Sequence, residues 1–231
     1  MFADWMIKGA LSKVGSSLPM SMYGRIDSAL NYAYTGRWMK EHGYSPIYLL
    51  KRRRDLIAKV GNLIGDGEVL YMEFGVYRGE SIKQWSQLLK NSASRLHGFD
   101  SFEGLPEEWD DHSAAALKKG HFSTQGKVPE IADSRVEFFK GWFENTLSTY
   151  EFVESPTLVI FLDADLYSST SHVLRTLRPH IKVGTIIYFD EFWDPHHEMK
   201  AFEEFLGETG MRFELLAAAW GLNNVAFRRI E

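Results

Sequence analysis

The chain has 231 residues, 45% of them hydrophobic and 25% charged, a balance that suits a folded globular protein and argues against disorder. A formal net charge of −5 speaks against a nucleic-acid partner, which would want a basic stripe; the one basic cluster, Lys51-Arg52-Arg53-Arg54, reads as a solvated helix face. The chain has no cysteine, which excludes disulfides, thiol nucleophiles and zinc–thiolate sites. No apolar run approaches the ~20 residues needed to cross a bilayer. The N-terminus lacks the regions of a signal peptide. The expectation is therefore a cytoplasmic protein without a membrane partner.

Residues 1–66 read as helical and residues 67–231 as alternating strand and helix. This predicts an N-terminal helical cap or oligomerisation region, with a homodimer as one outcome, and an α/β domain behind it. Phe2, Trp5, Met6, Ala10, Leu11 and Val14 recur at helical spacing. A second helix is expected over residues 22–40, with Ile26, Leu30, Tyr34 and Trp38 on one stripe. Ser45-Pro46 then opens a third through residue 64, with Ser as cap and Pro at the first helical position. Strands are expected at residues 69–74, 95–99, 136–139, 158–162 and 185–189, with helices over 80–91, 142–150, 169–177 and 197–209. Residues 212–217 and 225–229 read as a closing hairpin, which makes one strand antiparallel in an otherwise parallel sheet. The polar stretch 103–133 is much longer than a usual α/β connection and reads as a functional insertion.

The chemistry-bearing residues fall at strand ends. Glu73-x-Gly75-x-x-x-Gly79 follows the first α/β strand, but lacks both the Gly-x-Gly-x-x-Gly of a nicotinamide site and the Gly-Lys-Ser/Thr of a P-loop. A glycine turn without a pyrophosphate grip suits a cofactor with an amino-acid tail. Its carboxylate would meet the helix start at Glu80-Ser81, and its ammonium would meet Glu73. The same turn also serves as a plain strand-to-helix connection. Asp100, followed by Ser101, ends the next strand, where a carboxylate accepts both hydroxyls of a ribose or caps the turn that follows. Gly141-Trp142-Phe143 offers a flat ring to an adenine, or to the core. Asp163 and Asp165 end one apolar strand, and Asp190 and Glu191 end the next. If those strands are neighbours, four carboxylates meet and repel unless protonated or balanced by a cation, and an all-oxygen set suits Mg²⁺. His196 and His197 lie just beyond as a base or a solvated helix start.

With these motifs in place, the chain resembles the class I S-adenosylmethionine-dependent methyltransferases, and more closely the macrocin O-methyltransferase (TylF/MycF-type) family. The resemblance rests on Glu73-Phe-Gly-Val-Tyr-Arg-Gly79, Gly98-Phe-Asp-Ser-Phe-Glu-Gly-Leu-Pro106, Lys140-Gly-Trp-Phe143, Leu162-Asp-Ala-Asp-Leu-Tyr-Ser-Ser-Thr170 and Tyr188-Phe-Asp-Glu191. It implies a Rossmann-like sheet of seven strands with an antiparallel C-terminal hairpin. It also implies S-adenosylmethionine with its methionine part among Glu73, Gly75, Gly79 and Ser81, its ribose on Asp100, and its adenine near Trp142. By the same resemblance Asp163, Asp190 and Glu191 hold Mg²⁺ beside a small-molecule hydroxyl acceptor, a sugar or natural product. The chain departs from the family in having Asp190-Glu191 where the family has Asp-Asp, and in the run around His196. Asp163 is the expected base, with Asp165 and His196 as fallbacks. A nicotinamide-dependent oxidoreductase and a non-catalytic cofactor-binding or oligomerising protein are the alternatives.

Overall fold

The computed structural model describes residues 2–45, 47–109 and 117–231. Helices α1 (Phe2–Gly15) and α2 (Met20–Glu41) precede a short strand β1 (Leu49–Leu50) and helix α3 (Arg53–Ile64). The chain then alternates through β2 (Val69–Phe74), α4 (Glu80–Leu88), β3 (Arg95–Asp100), β4 (Val136–Lys140), α5 (Phe143–Thr149), β5 (Thr157–Leu162), α6 (Tyr167–Leu177) and β6 (Ile186–Phe189). Helix α7 (Glu198–Thr209) and the hairpin β7 (Phe213–Ala219) and β8 (Asn224–Arg229) complete it. The fold is α/β with a mostly parallel sheet in the order β1-β7-β8-β6-β5-β2-β3-β4, and only β8 runs antiparallel to its neighbours β6 and β7.

This is the sheet that the resemblance implies, with an eighth strand added. The sequence pattern predicts one helix over residues 46–64. Instead Leu49 and Leu50 pair with Ala218 and Ala219 on the edge of β7, and the helix starts only at Arg53. The backbone explains the difference: the amides of Ala218 and Trp220 donate to the carbonyls of Tyr48 and Leu50 at 3.0 Å each, so an open sheet edge takes these residues before a helix can. Of the expected Ser45-Pro46 cap, Pro46 lies outside the described residues.

The core has two layers, set by the alternation of side chains along each strand. On β2, Leu70, Met72 and Phe74 face the layer formed with α2, α6 and α7, which includes Trp38, Leu174 and Phe202. Val69 and Tyr71 face the other layer, with Leu56, Ile57 and Val60 of α3 and Ile82 and Trp85 of α4. Strands β2 and β5 are buried on both faces, which is why they read as mostly apolar runs, Glu73 of β2 apart. After β2 the chain builds outward through β3 and β4, then returns to the other side of β2 with β5 and β6. The reversal leaves a crevice above the C-terminal ends of β2 and β5, the place where sheets of this kind bind ligands.

The buried side of α2 differs from the expected stripe. Ile26, Leu30 and Tyr34 are exposed, while Asn31, Thr35, Trp38 and Met39 are buried. Hydrogen bonds turn the helix this way. Thr35 donates to the carbonyl of Trp193 at 2.9 Å, and Trp38 Nε1 donates to Glu203 Oε1 at 2.9 Å. Trp5, Met6 and Leu11 of α1 are exposed. Among the described residues no helix is long and apolar enough to cross a membrane.

Candidate active site

Gly75 closes β2 in a left-handed conformation (φ 91°), and its amide donates to Phe99 O at 3.0 Å. A Cβ at this position would lie 1.8 Å from the carbonyl oxygen of Asp163, so only glycine lets the ends of β2 and β5 meet here. Asp100 joins the next two strand ends. Its Oδ2 accepts the amides of Val76 and Tyr77 at 2.8 Å each, and its Oδ1 accepts that of Phe102 at 2.6 Å. The carboxylate thus caps both turns and also lines the crevice, beside Ser101. Trp142 and Phe143 border the same space.

Four of the expected cofactor residues do not line it. Glu73 is fully buried on the α3/α4 side of β2, where the hydroxyls of Tyr71 and Ser81 donate to its carboxylate, that of Ser81 at 2.6 Å. Burial pushes its pKa up to about 8, against the pull of those two hydrogen bonds. Ser81 is spent on this contact. Gly79 is the left-handed cap of α4, packed against Pro129 and Ile131. Gly141 shapes the turn before Trp142.

The acidic side follows from strand parity. β5 and β6 pair in register, Leu162 beside Phe189. Asp163 continues the row of Phe161, and Asp190 the row of Tyr188, on the face covered by α3. The first residue of α3 meets them there. Arg53 Nη2 donates to Asp163 Oδ2 at 2.6 Å, and its Nε lies 2.6 Å from Asp190 Oδ1. Its guanidinium carbon lies over the Phe161 ring, 5.5 Å from the centroid. Burial would disfavour the charged guanidinium, but Asp163 and Asp190 outweigh it and raise its pKa further. From sequence alone this residue reads as part of a solvated face. That holds for its exposed neighbours Lys51, Arg52 and Arg54, and nothing in a run of like residues singles out the one that turns inward.

Each acid in the cluster is pushed toward its neutral form. Burial raises Asp163, with Arg53 pulling it back. Burial and then Asp163 raise Asp165 and Asp190 well above the carboxyl range. Burial brings Glu191 to about 7. Asp165 sits in the left-handed region (φ 59°), an unusual place for a non-glycine residue and one that strains the backbone beside the cavity. Glu191 lies on the cavity wall, where its Oε2 accepts Trp193 Nε1 at 2.7 Å. His196 is exposed on the loop after β6, and neither it nor His197 lines the cavity.

These residues do not fit a divalent ion with Arg53 in place. The guanidinium spans two of the three expected ligands, the third is engaged by Trp193, and among the described residues no three His, Asp or Glu side chains are grouped to hold a metal.

The insertion roofs the cavity. Trp109 and Leu117 exchange backbone hydrogen bonds at 2.8 and 2.7 Å, and Leu105, Trp109 and Leu117 pack on Leu166. Residues 110–116 between them lie outside the described residues. With Pro106, Tyr77 and Phe122 this roof covers a cavity of about 310 Å³, enough for a small molecule and lined, among the described residues, by six carboxyl side chains and one basic one.

A doubly wound sheet of this order, with a glycine turn, an acidic second strand end and a reversed last strand, defines a Rossmann-like methyltransferase fold. Comparison with known proteins carries this further: residues 50–229 match the family described as Macrocin-O-methyltransferase (TylF), and the chain belongs to that family. A Streptomyces olivaceus protein, 8-demethyl-8-(2,3-dimethoxy-alpha-L-rhamnosyl)-tetracenomycin-C 4'-O-methyltransferase, is 32% identical over 163 residues, 62% of this chain and 60% of that one. Mycinamicin III 3''-O-methyltransferase of Micromonospora griseorubida is 28% identical over 171 residues, 63% of this chain and 64% of that one. The chain thus spans somewhat under two thirds of these relatives. The crystal structure of CalS11, a calicheamicin methyltransferase, superposes with a TM-score of 0.58 at 25% identity over 76% of each chain.

Proposed function

We propose that this protein is an S-adenosylmethionine-dependent O-methyltransferase that methylates a hydroxyl of a small molecule, a sugar or a glycosylated natural product. One observation carries the reading: the roofed cavity sits at the switch point between β2 and β5 and is lined by Gly75, Asp100, Asp163 and Asp165. Family membership and the names of the relatives support it. The surplus of carboxyl groups suits a donor that carries a sulfonium cation.

In this reading Asp100 receives the ribose and Trp142 borders the adenine. Asp163 takes the proton of the acceptor hydroxyl as the oxygen attacks the sulfonium methyl. The products are a methyl ether and the neutral thioether. Of Asp163 and Asp165, Asp163 is the more readily ionised, because the Arg53 guanidinium lies 2.6 Å from it, which suits it to act as base. The roof covers the cavity in which the two reactants are held together, which is most of what such a transfer needs. No step is routed through a metal. Residues 1–66 are proposed as the cap and oligomerisation region, although α3 within them packs on the sheet and delivers Arg53.

The test is calorimetric titration with S-adenosylhomocysteine, then incubation with S-adenosylmethionine and a panel of hydroxylated glycosides, read by mass spectrometry for an added methyl group. Saturable binding and methylation of a glycoside are the expected result. No binding at millimolar ligand would sink the proposal.

A further inference from the structure

We propose that Arg53 is the resident cation of this site, a fixed guanidinium that neutralises the strand-end carboxylates and shuts a divalent ion out. The inference rests on the reading of the Asp163 end of the cavity as the place of chemistry, but its test does not use methylation.

Three observations carry it. The first is placement. Pairing of Leu49 and Leu50 with β7 fixes where α3 starts, and Arg53 is its first residue. The side chain therefore projects from a braced helix end and is supported along Phe161, not from a free loop. The second is shape. Asp163 and Asp190 end adjacent strands, whose spacing is about 4.8 Å. The planar guanidinium donates through Nη2 to Asp163 Oδ2 and sets its Nε in ion-pair contact with Asp190 Oδ1, both at 2.6 Å. Mg²⁺ would need its oxygens drawn in to about 2.1 Å around one point, which the guanidinium already fills. The third is what surrounds the pair. Asn224 Nδ2 also donates to Asp190 Oδ1, at 2.9 Å, and Trp193 Nε1 donates to Glu191 Oε2, at 2.7 Å. The acids that a metal would recruit are thus already held by donors. Arg stays charged at any working pH, so the site keeps its counter-charge whatever the supply of divalent ions.

The experiment is a Mn²⁺ titration of the wild-type protein followed by electron paramagnetic resonance, without donor or acceptor. It is repeated on Arg53→Ser and Arg53→Lys, with each variant's fold checked by circular dichroism. The wild type is expected to show no saturable site up to about 5 mM Mn²⁺ (free energies weaker than those of millimolar binding). Arg53→Ser is expected to gain one site at least tenfold tighter, lost again when Asp190→Asn is added. Arg53→Lys, a single point charge, should give intermediate binding. Stoichiometric sub-millimolar binding by the wild type would overturn the proposal, even if Arg53→Ser failed to fold. A folded Arg53→Ser protein that gains no site would overturn it as well. S-adenosylhomocysteine affinity, measured separately, reports on the methyltransferase reading and not on this one.

Discussion

Replacing Gly75 by alanine tests the geometry of the site at its tightest point. The added Cβ would lie 1.8 Å from Asp163 O and 2.7 Å from its carbonyl carbon, both backbone atoms with no rotamer to relieve the contact. The residue would also have to hold φ 91°, which costs an L-residue about 1–2 kcal/mol. Overpacking against backbone adds about 1–3 kcal/mol. The sum, about 2–5 kcal/mol, corresponds to a fall in Tm of roughly 5–15 °C for a chain of this size. Relief of the clash must part the ends of β2 and β5, so S-adenosylhomocysteine affinity should fall at least tenfold. Differential scanning fluorimetry and calorimetry read both effects. Gly207, inside α7 with open space around its Cβ position, is the internal control. There alanine should stabilise by about 0.5–1 kcal/mol, through helix propensity alone. A Gly75→Ala protein with unchanged Tm and affinity would refute the claim that backbone contact between two strand ends builds the cavity.

Asp163→Asn should abolish methyl transfer while S-adenosylhomocysteine affinity stays within a few-fold of wild type; wild-type turnover by that variant removes its role as base. Asp100→Asn puts an NH₂ group against one of the turns whose amides the carboxylate now accepts, so affinity for the same ligand should drop at least tenfold, and an unaltered value would dissociate Asp100 from the cofactor. Glu73 bears on pH. Its pKa is raised from 4.5 to about 8, so folding is least penalised below about pH 4.5 and loses stability as pH rises toward 8. Glu73→Gln should flatten that decline by roughly 3–5 kcal/mol in urea unfolding between those limits. The same pH dependence in wild type and Glu73→Gln would show Glu73 to be ionised in the folded protein.

The sheet was legible because its signals are local. The runs of β2, β5 and β6 are largely apolar because both faces of each are covered, and the carboxylates at or near their ends stand out against that background. The turn Gly75–Gly79, the acid at Asp100 and the closing hairpin could likewise be read from neighbours in the chain. Strand parity even places Asp163 and Asp190 on one face, once β5 and β6 are known to be adjacent.

What surrounds those acids could not be read, because it arrives from distant parts of the chain. Arg53 reaches Asp163 across 110 positions, and the edge of β7, near the far end of the sequence, decides where its helix begins. The buried side of α2 is chosen by Trp193 and Glu203, against the apolar stripe of the helix itself. Glu73 turns from the cavity because Tyr71 and Ser81 claim it on the face that strand alternation assigns it. Sequence pattern records how each segment meets water. Which charged group answers which is settled by the distances that the assembled sheet imposes, because an ion pair or hydrogen bond acts over a few ångströms of space whatever the separation along the chain.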